Sequence, residues 1–297
     1  MTGLVAAVVA VLGWSVYATL AHGVKGAPVY TVLLWEFVAA AIGTFLVALF
    51  LARRAGRPFK TTPRSVAIAS VGQFGFNVFF LAALPFAPTT HVNLTAYLWP
   101  AMVVLALPLI ERTPFRPAAG LGALLGFAGV AVLIWEPGAL QRSGEPAGYL
   151  LALACGGSWA AYSLLRRFAP DETAPTLAVS FAVCAAGAGA TALMRGDALL
   201  PSPDVLIAAL AIGLIPIALA NSAWDVAIRS GESGRAALLS YGVPVLSTAL
   251  IVAWTELEAD LALALGAALV TLGVSLPELV DRRRRGRGRG RMGRPAP

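Results

Sequence analysis

Ten apolar stretches, each about 20 residues long, take up most of this 297-residue sequence. A helix needs about 20 mainly apolar residues to cross the hydrocarbon core of a bilayer. The stretches cover approximately residues 3–21, 29–51, 65–84, 90–110, 117–135, 147–165, 174–194, 204–223, 235–254 and 259–278. The connections between them are short, so we expect no domain outside the membrane. The sequence therefore predicts an all-α integral membrane protein with ten transmembrane helices.

Composition supports a membrane location. Hydrophobic residues make up 58% of the chain and charged residues only 12%, which is more apolar surface than one soluble core can hide. The first stretch has no basic segment before it and no cleavage site after it, so we expect a retained helix rather than a signal peptide. The two cysteines, Cys155 and Cys184, fall inside predicted spans and indicate neither a disulfide nor a metal site.

The basic residues predict the orientation of the chain. With the N-terminus in the cytoplasm, 19 Lys and Arg lie in cytoplasmic segments and 3 lie outside, namely Lys25, Arg142 and Arg195. Cytoplasmic loops carry such an excess in membrane proteins, so we expect both termini in the cytoplasm. Residues 281–297 form a basic tail, which we expect to be disordered and to contact anionic lipid rather than nucleic acid.

Uncommon residues recur at a separation of 144 positions. The pairs are Asn77 and Asn221, Tyr97 and Tyr241, Pro100 and Pro244, Gly122 and Gly266, and Gly129 and Gly273. A Trp-x-x-Tyr pattern repeats at a separation of 145, as Trp14 with Tyr17 and as Trp159 with Tyr162. Chance matches among glycines and interfacial aromatic residues are the alternative. Because each copy holds five spans, an odd number, the pattern predicts two inverted five-helix repeats at 1–136 and 147–279. Secondary transporters have this organisation and bind substrate between the repeats.

Small residues and prolines predict how the spans pack. Gly122, Gly126 and Gly129 share one face of the fifth span and predict a close contact with another helix. Pro100 and Pro244 lie inside predicted spans, where a proline removes a backbone hydrogen bond and kinks the helix. Such a kink either lines a cavity or is simply structural.

Motifs for catalysis are absent from the sequence. There is no His-Glu-x-x-His, no Gly-x-Ser-x-Gly and no Gly-rich phosphate loop ending in Gly-Lys-Ser/Thr. We therefore expect no enzyme, no metal or other cofactor, and no ATP-driven pump. The remaining possibility is movement of a solute driven by gradients.

Polar side chains inside spans are the first candidates for function. Glu36 lies eight residues into the second span, or about 12 Å deep, and is a candidate site for a proton or a substrate amine. A neutral carboxyl group hydrogen-bonded to a neighbouring helix is the alternative. Asp225 has Arg229 one turn away, which predicts an interfacial ion pair. Asn77 and Asn221 either bind substrate or tie helices together.

Aromatic residues occur well inside the predicted spans, away from the ends where an aromatic belt would place them. They are Phe76, Phe80, Tyr97, Trp99, Trp159, Tyr162, Trp224 and Tyr241. A cavity lined by these rings suits an apolar or aromatic substrate, because stacked rings gain about 0.5–1.5 kcal/mol beyond burial. Rings that fill the core or face lipid are the alternative.

Four segments carry a resemblance to a known family. They are Ala-Tyr-Leu-Trp-Pro at 96–100, Trp-Ala-Ala-Tyr at 159–162, Ala-Trp-Asp-Val at 223–226 and Ser-Tyr-Gly-Val-Pro-Val-Leu-Ser at 240–247. These resemble the drug/metabolite transporter superfamily with two EamA-type halves, and within it the bacterial aromatic amino acid exporters. The sequence departs from the family pattern at Glu36, where many halves carry Arg, and at Asp225, where the exporters have Asn.

The resemblance implies a ten-helix carrier of the bacterial inner membrane, which exports aromatic and some other neutral amino acids by alternating access. By motif, Trp99, Trp159, Trp224 and Tyr241 are expected to line or gate the cavity. By position along the spans, Phe76, Asn77, Phe80 and Tyr97 are expected to join them. A carrier for another small metabolite or a drug is the alternative, and a passive channel or a membrane-embedded enzyme represents a different class. The expected partners are the substrate and the bilayer, not nucleic acid, while oligomeric state and proton coupling stay open.

Overall fold

The computed structural model describes residues 3–56, 60–112, 114–115, 117–135, 145–168, 173–229, 239–240, 242–254 and 260–292. In these ranges the secondary structure is helical, with no strand. The α-helices are α1 (Gly3–Ser15), α2 (Tyr17–His22), α3 (Val29–Ala55), α4 (Pro63–Ala83), α5 (Thr89–Ala96), α6 (Trp99–Glu111), α7 (Pro117–Trp135), α8 (Pro146–Leu165), α9 (Thr173–Arg195), α10 (Pro203–Ile212), α11 (Ala220–Arg229), α12 (Val243–Trp254) and α13 (Leu261–Met292). A 3-10 turn at Arg166–Phe168 extends α8, and a π-helix at Gly213–Leu219 joins α10 to α11.

Seven segments are long and apolar enough to cross a bilayer. They are Gly3–His22, Val29–Arg54, Pro63–Ala83, Thr89–Ile110, Pro146–Leu165, Ala174–Arg195 and Pro203–Ala227. Shorter apolar helices cover Gly120–Val132, Val243–Trp254 and Leu261–Gly273. Together these segments fall on the ten stretches predicted from the sequence. The all-α membrane class is therefore confirmed, while the crossing of the membrane by all ten stays a prediction.

Several spans are interrupted in their interior. The first is divided between α1 and α2 at Val16, and the fourth between α5 and α6 at Tyr97–Leu98. The eighth continues through the π-helix, which contains Pro216. A π-helix is a rare, locally widened helical turn that is frequently found at functional sites. The interruptions place irregular backbone well inside these spans rather than at their ends.

Both prolines predicted to kink helices stand at the start of one instead. Pro100 is the second residue of α6, and Pro244 is the second residue of α12. In the first turn of a helix a proline sacrifices no hydrogen bond, because the backbone N–H there has no partner within the helix. The chain therefore begins a new helix at each of these prolines, where we expected a kink in a continuous one.

The helices of one half pack mainly against those of the other. The largest interfaces join α3 to α9, α7 to α13, α4 to α8 and α1 to α11. Counted as apolar segments in chain order, these are the second with the seventh, the fifth with the tenth, the third with the sixth and the first with the eighth. If each segment is replaced by its counterpart in the other half, which lies five places away in chain order, the same four pairs result. The packing is therefore the same seen from either half.

The interface between α7 and α13 is built on glycines. A Cβ atom added at Gly129 would lie 2.8 Å from the carbonyl oxygen of Gly266, and one added at Gly273 would lie 2.5 Å from that of Gly122. Both distances are too short for a real side chain, so the two backbones touch. This confirms the predicted glycine face. The two contacts are also equivalent, since each becomes the other when the residue numbers are shifted by 144.

The basic tail differs from our expectation of disorder. Helix α13 continues past the apolar segment to Met292, so residues 281–292 are helical in the structure. Arginine is a good helix former, and a helix that is already nucleated by a long apolar segment gains one hydrogen bond for each residue added, against a cost of about 1 kcal/mol at each of Gly286, Gly288 and Gly290. Residues 293–297 lie outside the described part of the chain.

Candidate functional site

A cavity of about 400 Å³ lies between the two halves of the chain. Its walls come from α1, α2, α4, α5 and α6 of the first half, and from α8, α9, the π-helix, α11 and α12 of the second. The volume falls in the range of about 300–1,000 Å³ that is typical of small-molecule sites. The interrupted spans contribute directly, because Tyr97 and Pro216 both line the cavity.

Trp159 is at the centre of a continuous aromatic wall. Its ring centroid lies 5.3 Å from that of Phe76, 5.5 Å from that of Tyr162 and 6.3 Å from that of Trp99. The contacts with Phe76 and Trp99 are edge-on, an arrangement that ring quadrupoles favour. Helix α8 supplies Trp159 and Tyr162, one turn apart on the same face. The wall therefore combines rings from α4, α6 and α8.

The aromatic wall continues along α4 toward α2. Phe76 and Phe80, one turn apart, have ring centroids separated by 6.2 Å. Tyr17 packs against both, with its centroid 4.9 Å from that of Phe80 and 5.9 Å from that of Phe76. The predicted pair on α4 thus joins Tyr17, the residue of the first half that matches Tyr162.

A second aromatic pair forms another part of the wall. The rings of Trp14 and Trp224 lie 5.2 Å apart between α1 and α11. Nε1 of Trp14 donates a hydrogen bond of 3.0 Å to Oδ1 of Asn221 on α11. This bond fixes the Trp14 ring and ties the first span to the eighth.

Asn77 has an equivalent tying role on the other side. Its Oδ1 accepts a hydrogen bond of 2.9 Å from the Tyr17 hydroxyl, and its Nδ2 donates one of 2.8 Å to the carbonyl oxygen of Gln73. Asn77 is only 2% exposed, and these two bonds give both its amide oxygen and its amide nitrogen a partner within the protein. Of the two roles considered for Asn77 and Asn221, the structure supports the helix tie for both, although both side chains also line the cavity.

Charged groups reach the cavity at one end of the bundle. Arg166, just after α8, and Asp225, on α11, are both lining residues, and both act electrostatically on the nearby Tyr162 hydroxyl. We expected Asp225 to sit at the interface in an ion pair with Arg229. The structure places Asp225 in the cavity wall. The side chain of Arg229 is not among those described, so the ion pair stays a prediction.

Two hydrogen-bonded contacts between the halves lie toward the opposite end. Nδ1 of His91 lies 2.8 Å from the Tyr149 hydroxyl, and Nδ2 of Asn93 donates a hydrogen bond of 2.6 Å to Oγ of Ser247. Tyr149 precedes Arg166 by 17 residues, or about 25 Å along a helix. These two contacts join the halves on the side remote from the charged residues, and other bonds, such as that between the Thr61 and Thr176 hydroxyls, join them elsewhere.

Seven of the eight residues predicted to contact substrate line the cavity. They are Phe76, Asn77, Phe80, Tyr97, Trp99, Trp159 and Trp224. The eighth, Tyr241, lies outside the described residues, although Ser240 and Val243 beside it are lining residues. Pro100 and Pro244 line the cavity as well. The structure brings these residues together, and their contact with a substrate stays a prediction.

Glu36 does not line the cavity. It is 0% exposed on α3, and neither carboxylate oxygen has a hydrogen-bond partner among the described residues. The expected hydrogen bond to a neighbouring helix therefore needs correction, since no described residue supplies it. Glu36 also has no direct access to a substrate amine in this arrangement, while its role as a proton site stays a prediction.

Other lining residues were not among our candidates. They include Trp14, Tyr17, Gln73, Asn93, Ser163 and Arg166. The repeated Trp-x-x-Tyr pattern held the signal for two of them, because Trp14 and Tyr17 occupy the places in the first half that Trp159 and Tyr162 occupy in the second. Gln73 lies one turn before Asn77 on the same face of α4. Among the described residues no cluster of His, Cys, Asp or Glu is arranged to hold a metal ion.

Comparisons with known proteins agree with this architecture. The model of the EamA-like transporter family matches residues 1–135 and 146–277. The chain is 33% identical to the "Aromatic amino acid exporter YddG" of Ancylobacter novellus over 279 residues, which cover 92% of this chain and 96% of that protein. It is 27% identical to the protein of the same name from Salmonella typhimurium over 295 residues, covering 93% and 96%.

A solved crystal structure has a similar fold. It superimposes with a TM-score of 0.70 at 30% sequence identity, covering 95% of this chain and 98% of that one. The family model matches each half separately, with the boundary between the matches at residues 136–145. The resemblance drawn from the four sequence segments is thereby confirmed. The chain belongs to the EamA-like transporter family, and it is a multi-pass membrane transporter rather than an enzyme.

Proposed function

We propose that this transporter exports aromatic amino acids, and other neutral amino acids, across the bacterial inner membrane by alternating access. The aromatic wall of the cavity between the two halves carries this proposal. Rings on α2, α4, α6 and α8 follow one another around Trp159 and offer several faces and edges to a ring-bearing substrate. Each favourable ring contact contributes about 0.5–1.5 kcal/mol beyond burial. The names of the two exporters reported above support the same substrate class.

The polar groups of the cavity suit the backbone of an amino acid. Arg166 and Asp225 supply opposite charges at one end of the cavity, matching the carboxylate and the ammonium group of a zwitterion. Tryptophan faces also attract an ammonium group, with a gain of about 0.5–2 kcal/mol. A substrate with its side chain against Trp159 and its charged groups toward Arg166 and Asp225 satisfies both parts of the cavity.

The proposal includes ten transmembrane helices in two inverted repeats. Two observations support a two-fold relation between the halves. The main helix pairs are unchanged when the two halves are interchanged, and the two glycine contacts between α7 and α13 are equivalent. The excess of Lys and Arg in the predicted cytoplasmic segments supports placing both termini inside. The end of the cavity with Arg166 and Asp225 then faces the cytoplasm, and the contacts around His91 close the outer side.

Efflux from proteoliposomes tests the substrate. Vesicles containing the purified protein are loaded in parallel with labelled tryptophan, phenylalanine, a purine nucleoside or a lipophilic cationic drug. We expect the two amino acids to leave at least about tenfold faster than from protein-free vesicles, a difference of about 1.4 kcal/mol in barrier. The nucleoside and the drug should leave at the protein-free rate. Efflux of the nucleoside or the drug without efflux of the amino acids would assign the cavity to another class of substrate.

A further inference from the structure

Glu36 is the only buried Asp, Glu, Lys or Arg side chain in the part of the chain that the structure describes. It is fully buried in α3, and both carboxylate oxygens are without a hydrogen-bond partner among the described residues. An unpaired carboxylate in such surroundings costs several kcal/mol, whereas the neutral acid costs much less. The carboxyl group therefore holds a proton in this arrangement.

The surroundings of Glu36 contain no compensating charge among the described residues. The titratable groups that interact with it electrostatically are the Tyr17 hydroxyl from α2 and the Cys184 thiol from α9. Both are neutral groups in their ordinary form. Helices α4 and α10 and the π-helix also pack against α3. None of their described residues places a positive charge near the carboxyl group. A proton is thus the cation that this site accommodates.

Glu36 lies one layer behind the cavity wall, in contact with the π-helix. A Cβ atom added at Gly213 would overlap the carbonyl oxygen of Glu36, so the two backbones touch. Two turns further along α3, a Cβ atom added at Gly43 would lie 2.9 Å from Cβ of Ala218 on the π-helix. The same π-helix supplies Pro216 and, beside it, Ile217 to the cavity wall. Movement of this segment therefore changes the cavity and the surroundings of Glu36 together.

We propose that Glu36 is a proton-binding site that couples substrate export to proton entry through the π-helix at Gly213–Leu219. This inference rests on the proposed export function. A proton taken up at the outer side converts the Glu36 carboxylate to the acid, and it leaves for the cytoplasm when the π-helix moves and opens the site to water. One proton then enters for each amino acid exported.

Transport driven by an imposed pH gradient tests the proposal. For exchange of one proton, a gradient of one pH unit supports about a tenfold concentration ratio of substrate. We expect proteoliposomes with wild-type protein to concentrate tryptophan severalfold toward the acidic compartment. Glu36→Gln should lose this concentration but retain exchange of labelled for unlabelled tryptophan within about twofold of wild type. Cys184→Ser, which removes a neighbouring titratable group outside the cavity wall, should retain the accumulation of tryptophan.

The possible outcomes separate the two proposals. If Glu36→Gln accumulates tryptophan to the same ratio as wild type, the carboxyl group has only a structural role and the inference is overturned. Tryptophan exchange by wild type without any response to pH would overturn it too, while leaving the export function intact. Infrared spectroscopy of the purified protein gives a reading that is independent of transport. A band of a protonated carboxyl group should persist at neutral pH in wild type and be absent from Glu36→Gln, and its absence from wild type would also refute the inference.

Discussion

Replacing Trp159 with alanine is expected to lower the rate of tryptophan export at least about tenfold while leaving the protein in the membrane. Trp159 contacts Phe76, Tyr162 and Trp99, so its loss removes the centre of the aromatic wall. Losing one or two ring contacts with the substrate removes about 1.4 kcal/mol, which corresponds to a factor of ten. The side chain is only partly buried, at the cavity surface, so the helix packing should survive. The measurement is the initial efflux rate from proteoliposomes with equal amounts of inserted protein.

Another tryptophan provides a matched control for this experiment. Trp254, at the end of α12, is 79% exposed and does not line the cavity. Trp254→Ala should therefore export tryptophan at the wild-type rate. Trp159→Phe, which keeps a ring, should retain most activity, and Trp99→Ala should lose activity as Trp159→Ala does. Full activity of both Trp159→Ala and Trp99→Ala would assign these rings to structure alone.

A disulfide between residues 87 and 148 is expected to stop transport. A Cβ atom at Gly148 would lie 2.7 Å from Cβ of Ala87, on the side where the contact between His91 and Tyr149 joins the halves. The Cβ atoms of a disulfide are about 3.8 Å apart, so a shift of about 1 Å lets Ala87→Cys and Gly148→Cys form one. If alternating access opens this end, the bond holds the carrier with its outer side closed. Oxidation of the double variant should reduce export to the protein-free rate, and a reductant should restore it.

The single variants control for the substitutions themselves. Ala87→Cys and Gly148→Cys, each alone, should transport equally well with and without oxidant. The native thiols do not interfere, because Cys155 and Cys184 are buried. Undiminished export by fully cross-linked protein, as measured by electrophoresis without reductant, would show that this end does not open during transport.

The spans and most of the cavity could be predicted because their signals are local. Length and hydropathy place a span wherever about 20 apolar residues follow one another. The family resemblance then identified Trp99, Trp159 and Trp224 among the seven tryptophans of the chain. Hydropathy alone does not separate Trp159, in the cavity, from Trp254, which is exposed. The face on which a ring lies depends on which helices pack around it.

The prolines inside spans indicated that helices are bent or opened, but the form of each break and the surroundings of Glu36 could not be predicted, for the same reason. The π-helix at Gly213–Leu219 arises where Pro216 meets close packing against α3, and that packing joins residues about 175 positions apart in the chain. The depth of Glu36 followed from its position in the second span, but its place behind the wall followed from the rotation of α3. The place of Asp225 in the cavity wall was not predicted, because the local spacing to Arg229 is visible in the sequence and the distant cavity is not.

Counterflow of tryptophan tests the central claim most directly. Proteoliposomes are preloaded with unlabelled tryptophan and diluted into a trace of labelled tryptophan, so that labelled substrate enters in exchange. A carrier that alternates between two halves should accumulate label transiently above its equilibrium level, with saturable kinetics and competition by phenylalanine. Linear, non-saturable entry without an overshoot would indicate a channel, and no entry above protein-free vesicles would show that tryptophan is not the substrate.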